Sequence, residues 1–174
     1  MFHLLTPNLC VENVLELTVD RLRELGIDGL LLDVDCTLKR YIENDLPPEV
    51  AQWFATLTAG GIGCCIVSNG RSNRIKHIAD KLGLPFVAKA LKPFPVGIYR
   101  AIAKMGFKPE RTAMVGDQVF ADVLAGRLAG VKCILVRPIH PEDEPWFTRI
   151  KRPPERLWLH LLGMRGEGQE AREK

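Results

Sequence analysis

The strongest constraint on the fold is a series of five short runs that are apolar almost throughout, separated by longer amphipathic stretches. Unbroken apolar runs of this length are typical of strands that are covered on both faces of a sheet. We predict strands at residues 29–34, 63–68, 85–87, 112–115 and 132–136. Because helical stretches lie between them, the sequence predicts an α/β protein with a parallel sheet and helices on both sides.

Prolines, a serine and glycines mark the predicted helices. We expect helices from Pro47 to about Ala59, from a Ser72 cap through Leu82, from Phe94 to Met105, and from Val119 to Ala129. Each is followed at once by glycine, which commonly ends helices. A chain of 174 residues with 47% apolar residues suffices for one domain. We therefore predict a single domain over residues 1–163 and a polar tail, 164–174, that frays.

Composition and charge exclude several classes of protein. The chain has no run of about 18 apolar residues, which is the length that a transmembrane helix needs. The first seven residues lack the basic start of a secretory signal. Five cysteines without a Cys-x-x-Cys pair fit neither a disulfide framework nor a zinc site, so we expect a cytoplasmic protein. The net charge of +3 resides in residues 148–174, and the neutral body predicts no nucleic-acid partner.

Polar side chains follow four of the predicted strands. Sites in open α/β sheets form where the carboxyl ends of the strands meet. The candidate residues there are Asp33, Asp35, Thr37, Ser68, Asn69, Lys92, Gly116, Asp117 and Asp122. Crowded carboxylates repel one another unless a cation joins them, and Mg²⁺ prefers oxygen ligands and often shares a phosphate. Carboxylates, Mg²⁺ and a lysine together predict phosphoryl transfer.

The first acidic pair suits a two-step reaction. Asp33 and Asp35 are two residues apart, so on extended backbone their side chains point the same way. One carboxylate can attack phosphorus to form an aspartyl phosphate, while the other handles the proton of the leaving oxygen. Considered alone, the pair could equally be turn or helix-cap acids. A dinucleotide-binding fold is disfavoured, since no Gly-x-Gly-x-x-Gly turn follows the first strand.

Four segments resemble, in order, the four motifs of the haloacid dehalogenase (HAD) superfamily of phosphatases: Asp33-Val-Asp-Cys-Thr-Leu38, Ser68-Asn69, Lys92-Pro93 and Gly116-Asp-Gln-Val-Phe-Ala-Asp122. The resemblance implies a three-layer α/β/α Rossmann-like fold with a sheet of about five strands in the order 5-4-1-2-3. It implies Asp33 as nucleophile and Asp35 as acid and base. It assigns phosphate binding to Ser68, Asn69 and Lys92. It assigns Mg²⁺ to Asp33, the backbone carbonyl of Asp35 and Asp117, supported by Thr37, Gly116 and Asp122.

Over roughly the first 140 residues the chain is similar to subfamily IIIA, the YqeG-like phosphatases related to mitochondrial phosphatidylglycerophosphate phosphatase. This resemblance implies phosphatidylglycerophosphate as the substrate. The chain departs from the family pattern at Cys36, where relatives often carry Asn or Gly, and at Gly70, where a second Asn is common. Two alternatives stay open: a phosphatase of a soluble sugar phosphate or nucleotide, and a non-catalytic phosphate-binding scaffold.

The positions at which the superfamily inserts cap domains are short in this chain. Residues 39–46 make a loop, and residues 72–91 have room for only one helix and a short strand, so we expect no cap. An open site would admit a lipid headgroup or a protein. The stretch 149–162, basic and then apolar, would either contact an anionic membrane surface peripherally or pack on the domain edge. Arg71 and Arg74 would either meet the substrate or lie on a solvated helix face.

Overall fold

A single parallel sheet forms the centre of the protein. The computed structural model describes residues 2–163, and in them six strands lie in the order β1-β6-β5-β2-β3-β4. Every neighbouring pair is parallel. The strands are β1 (Leu9–Val11), β2 (Gly29–Leu32), β3 (Gly63–Val67), β4 (Phe86–Val87), β5 (Thr112–Gly116) and β6 (Lys132–Val136).

The five predicted strands occur in the expected relative order, and the sheet has six strands where about five were expected. The sixth strand, β1, extends the sheet beside β6. It has only three residues, which is too short for a periodic pattern. Asn8 holds it in place: its backbone N–H donates to the Cys133 carbonyl at 2.7 Å, and its side-chain oxygen accepts from the Cys133 N–H at 2.8 Å. This strand therefore depends on β6, not on its own sequence.

Helices cover both faces of the sheet. They are α1 (Val19–Glu24), α2 (Pro48–Ala59), α3 (Ser72–Leu82), α4 (Val96–Met105), α5 (Leu124–Leu128), α6 (Trp146–Arg149) and α7 (Arg152–Leu161). Leu30 and Leu32 belong to an apolar cluster on one face of the sheet, and Leu31 belongs to a second cluster on the opposite face. All three residues are fully buried. The three-layer α/β/α architecture is thus confirmed.

Three helix boundaries differ from the prediction. Ser72 is the first residue of α3 and not its cap, because Arg71 already holds the extended backbone of a cap residue. α4 begins at Val96 rather than Phe94, since Phe94 precedes a proline and that position disfavours helix. The helix expected from Val119 starts as a π-helical turn, Val119–Val123, and becomes α5 only at Leu124.

Phe107 closes the amino-terminal end of the sheet between β2 and β3. A side chain at Gly29 would lie 2.9 Å from its ring, and one at Gly63 would lie 2.6 Å from it. The ring can approach the two strands only because both positions lack a Cβ atom. This end of the sheet is opposite to the carboxyl edge, where the polar residues lie.

Short connections border the carboxyl edge. In the described residues, the segment between α3 and β4 adds no further helix, and residues 39–46 contain no helix. The expected lack of a cap agrees with this arrangement. Among the same residues, none of the helices is long and apolar enough to span a membrane. The predicted fraying tail, 164–174, lies outside the described residues.

Candidate active site

Lys92 is the centre of the cluster at the carboxyl edge. Its ammonium group donates to Oδ1 of Asp33 at 2.6 Å, to Oδ1 of Asp122 at 2.6 Å and to the carbonyl oxygen of Val67 at 2.9 Å. All three ammonium protons therefore have partners. Burial would lower the pKa of Lys92, but the carboxylates of Asp122 and Asp33 raise it above its ordinary value. The lysine is therefore held as a cation in a fixed position.

A group of three buried aspartates surrounds this lysine. Asp33, Asp117 and Asp122 each offer an oxygen, and these oxygens lie within 4.8 Å of one another. Burial raises the pKa of Asp33 and of Asp117 above the usual carboxyl range, although Lys92 opposes the rise for Asp33 and Arg152 opposes it for Asp117. Hard oxygen donors that are close together and poorly solvated suit Mg²⁺. The residues present thus fit a divalent cation.

Gly116 and Thr37 support this group. A Cβ atom at Gly116 would lie 2.2 Å from Cγ of Asp122, so only glycine lets that carboxylate lie against the end of β5. The hydroxyl of Thr37, which is fully buried, donates to Oδ1 of Asp117 at 3.0 Å. Asp122 also accepts from the N–H of Gln118 at 3.1 Å, within the π-helical turn that replaces the predicted start of a regular helix.

Asn69 and Ser68 follow β3, but their polar atoms already have partners in the protein. The amide of Asn69 donates to the Lys92 carbonyl at 2.9 Å and accepts from the Lys92 N–H at 2.9 Å. Asn69, which we expected to bind phosphate, thus holds the backbone of Lys92 in this structure. The hydroxyl of Ser68, almost fully buried, accepts from the N–H of Gly70 at 3.1 Å. The Ser68 backbone carbonyl also accepts from the N–H of Ala90 at 3.0 Å, two residues before Lys92.

Asp35 and Asp33 have different partners. The carboxylate of Asp35 forms a two-point ion pair with Arg74, in which Nη1 donates to Oδ2 at 2.8 Å and Nη2 donates to Oδ1. Lys39, whose side chain is fully buried, donates to the same carboxylate at 3.3 Å. Arg74 therefore bonds with a predicted catalytic residue and does not lie free on a solvated helix face. Cys36, where the chain departs from the resemblance, adopts a φ of 60° that Asn and Gly accommodate more readily.

Sequence reasoning missed three charged residues from the C-terminal part of the chain. Arg152, Glu144 and Glu155 are all buried, and Arg152 forms ion pairs with Asp117 and Glu144. In the sequence, Arg152 belongs to a basic stretch and no motif marks it as a site residue. The one signal in the sequence was weak: a Glu three residues after an Arg at the proline-marked start of a helix.

Of the two roles that the sequence leaves open for the stretch 149–162, packing on the domain edge is the one that the structure shows, and it involves one face of α7. Trp158 and Leu159 pack on an apolar cluster with Val119 and Val123, and the indole N–H of Trp158 donates to the Leu5 carbonyl at 3.1 Å. Leu157 and Leu161 are 59% and 69% exposed on the opposite side of α7. Packing on the domain edge thus accounts for one face of the helix and not for the other.

Together, the fold and the cluster define a Rossmann-like α/β enzyme domain with a buried acid–lysine centre at the carboxyl edge of its sheet. Residues 8–130 match the haloacid dehalogenase-like hydrolase family, and the chain belongs to that family. The expected superfamily and enzyme class are confirmed.

Individual proteins that are similar to this chain are also phosphatases by name. The chain is 35% identical over 163 residues to the probable phosphatase YqeG of Bacillus subtilis, covering 94% of each. It is 24% identical over 162 residues to the chloroplastic phosphatidylglycerophosphate phosphatase 1 of Chlamydomonas reinhardtii, covering 88% of this chain and 60% of that protein. The cobalt-bound deoxy-D-mannose-octulosonate 8-phosphate phosphatase of Haemophilus influenzae shares the fold, with a TM-score of 0.53 and 17% identity over 80% of this chain and 91% of the other.

Proposed function

We propose that the protein is a Mg²⁺-dependent phosphomonoester hydrolase that forms an aspartyl phosphate on Asp33. The observation that carries this proposal is the buried contact of 2.6 Å between Asp33 and Lys92, within ligand reach of Asp117 and Asp122. One oxygen of Asp33 is bonded to the lysine, which leaves the other for phosphorus. Asp33, Asp117 and the backbone carbonyl of Asp35 would hold Mg²⁺, with Asp122 in support. The bound ion would neutralise charge on the phosphate.

The proposed reaction has two steps. The free oxygen of Asp33 forms a bond to phosphorus as the bond to the alcohol oxygen breaks, and Asp35 donates a proton to that oxygen. Asp35 then takes a proton from water, whose oxygen attacks phosphorus and releases Asp33. The Ser68 hydroxyl donates to a phosphate oxygen. Lys92, whose three ammonium protons already have partners in the protein, attracts the phosphate through its charge, while Asn69 holds the backbone of Lys92. We propose that the incoming phosphate draws Arg74 away from Asp35, since a guanidinium pairs as well with phosphate as with carboxylate.

We propose phosphatidylglycerophosphate as the substrate, cleaved to phosphatidylglycerol and phosphate. A cavity of about 400 Å³ opens beside the lysine and is lined by Asn69, Lys89, Leu91, Lys92 and Phe94. Leu91 and Phe94 are 61% and 66% exposed at its rim. An apolar rim with the Lys89 ammonium nearby suits an ester that has both a greasy body and a second anionic group. Two relatives from other organisms carry the name phosphatidylglycerophosphate phosphatase.

We further propose that the protein acts in the cytoplasm and contacts the membrane peripherally through the outer face of α7. Leu157 and Leu161 are exposed there in line, one helical turn apart, and Arg156 and His160 form an exposed row beside them. Exposed leucines beside a cationic side chain, here Arg156, favour binding to an anionic lipid surface.

The test is hydrolysis of phosphatidylglycerophosphate in vesicles, compared with soluble sugar phosphates, nucleotides and p-nitrophenyl phosphate, each with and without Mg²⁺. We expect Mg²⁺-dependent release of phosphate, strongest with the vesicles, and none from Asp33→Asn in a protein that still folds. Preference for a soluble ester would favour the first alternative. Absence of any Mg²⁺-dependent hydrolysis would favour the scaffold.

A matched pair of variants tests the rim. Leu91→Asp combined with Phe94→Ala should reduce turnover in vesicles about tenfold and leave p-nitrophenyl phosphate hydrolysis nearly unchanged, because only the lipid ester reaches the rim. Leu25→Asp alters a less exposed leucine, 38% accessible, at the end of α1 and outside the lining of the cavity, and should change neither. Equal losses on both substrates in the rim variant would contradict the assignment.

A further inference from the structure

The C-terminal segment reaches into the candidate active site from outside the region that matches the family. That match ends at residue 130, whereas α7 begins at Arg152. Arg152 is the first residue of the helix, and its side chain is only 7% exposed. A buried guanidinium is costly unless several acceptors satisfy it, so its partners show what this residue does.

Arg152 binds Asp117 at two separate atoms. Its Nη2 donates to Oδ2 of the Asp117 side chain, and its Nη1 donates to the Asp117 backbone carbonyl at 2.9 Å. The hydroxyl of Thr37 donates to the other side-chain oxygen, Oδ1. The carboxylate is therefore held from both sides, and its backbone is fixed as well. Such a combination leaves the Asp117 side chain with a single orientation relative to Asp33 and Asp122.

Two further acids hold the guanidinium. Nε of Arg152 donates to Oε2 of Glu144 at 2.9 Å, and Nη2 lies 2.9 Å from Oε1 of the same carboxylate. Glu155, one turn along α7, lies 3.7 Å from Nη1 and also accepts from the Phe120 N–H at 2.9 Å. Glu155 thereby ties α7 to the π-helical turn that carries Asp122. The network connects the C-terminal helix to two of the three clustered aspartates.

We propose that Arg152 is a positioning residue that sets the orientation of Asp117 for a divalent cation, and that the C-terminal helix is for this reason a working part of the site. The inference rests on the proposed metal-dependent function. A planar fork with several donors can fix a carboxylate in a way that a single ammonium cannot. Partners of metal-binding side chains commonly contribute tenfold to hundredfold to metal affinity.

The test is the Mg²⁺ dissociation constant, measured by calorimetry without substrate, for the unaltered protein, Arg152→Lys, Arg152→Gln and Arg156→Gln. Arg152→Lys keeps the positive charge but loses the planar guanidinium with its several donors. Weaker Mg²⁺ binding in this variant would therefore show that Arg152 acts by orienting Asp117 and not by its charge alone. We expect about tenfold or greater weakening in Arg152→Lys and at least as much in Arg152→Gln. Arg156→Gln alters an exposed arginine of the same helix and should bind as the unaltered protein does.

The possible outcomes separate the roles of Arg152. Metal affinity within about twofold of the unaltered protein in Arg152→Lys, whatever the melting temperature, would reduce Arg152 to a structural tie and overturn the inference. Tighter binding in Arg152→Gln would show that Arg152 acts as a competing cation, and would overturn it too. If Arg152→Gln does not fold, Arg152→Lys and Glu144→Gln, expected to weaken binding less, still decide the matter. An unaltered protein that binds no Mg²⁺ would instead refute the proposed function.

Discussion

At the scale of single residues, the site depends on side chains that have no freedom to move. Lys92 has a partner for every ammonium proton, and Asn69 holds the backbone of that same residue through two hydrogen bonds. Buried charges persist in proteins when such networks are complete. The identities of Asp33, Lys92 and Asp117 could be predicted from the order of the motifs. The role of Asn69 could not be predicted, because a side-chain amide that follows a strand can bind a phosphate as well as it can bind backbone groups.

Gly116 offers a test of this rigidity. Gly116→Ala would place a methyl group 2.2 Å from Cγ of Asp122, whose carboxylate is bonded to Lys92 and cannot retreat without breaking that contact. We expect a loss of about 1–3 kcal/mol in the free energy of unfolding, measured by urea titration, with a larger proportional loss of kcat/KM. In an Asp122→Gly background, the same substitution should cost much less stability. An equal cost in both backgrounds would place the strain elsewhere.

At the scale of elements, apolar runs identified the strands that are buried on both faces. They did not identify the elements whose conformation depends on contacts with neighbouring elements. β1 is a strand only because β6 and Asn8 pair with it. The Val119–Val123 turn is widened, and its residue Asp122 points to Lys92. Short edge strands and π-helical turns carry no distinct periodicity, so local patterns cannot predict them.

The contact of Phe107 with β3 yields a prediction at this scale. Gly63→Val introduces a residue that strands normally favour, yet its Cβ atom would lie 2.6 Å from the Phe107 ring. We expect this variant to unfold at lower urea concentration, with a loss of about 1–3 kcal/mol. Because the strand begins there and the site lies at its other end, kcat/KM of the folded protein should stay unchanged. In a Phe107→Ala background, Gly63→Val should cost less stability if the ring is the cause.

At the scale of the whole molecule, charge balance governs the site. In the described part of the chain, five buried carboxylates lie close to two buried cationic groups: Asp33, Asp117, Asp122, Glu144 and Glu155 with Lys92 and Arg152. A third buried cation, Lys39, is paired with a further carboxylate, Asp35, and does not offset this excess. The excess of negative charge is consistent with a cation as part of the working protein. The same excess, together with burial, raises the pKa of Asp33 and Asp117.

A pH dependence follows from this balance. Since the pKa values of Asp33 and Asp117 are raised on folding, the metal-free folded state binds more protons than the unfolded state above the ordinary carboxyl range. The metal-free protein should therefore melt at a lower temperature at about pH 8 than at about pH 6. Mg²⁺ competes with those protons, so the rise in melting temperature that it causes should be larger at the higher pH.

Scanning calorimetry with and without Mg²⁺ at the two pH values checks this expectation. Asp33→Asn should flatten the pH dependence, because it removes one of the two titrating carboxyls. Asp20→Asn, at an exposed position on α1, serves as the control and should leave it intact. A Mg²⁺-induced rise of the same size at both pH values would contradict the competition between metal and protons.

The sequence by itself determined the alternation of strand and helix and the main acids and lysine of the site, because apolar runs and the residues that follow them are local and ordered features. The relative order of five strands was implied only by the resemblance to the HAD superfamily. Tertiary structure alone decided the edge strand β1, the pairing of Asp35 with Arg74 and the approach of Arg152 to Asp117. These contacts join residues 35 to 125 positions apart in the chain, which only the tertiary structure brings together. A buried arginine and an exposed one have the same local sequence pattern, and only the surrounding acids distinguish them.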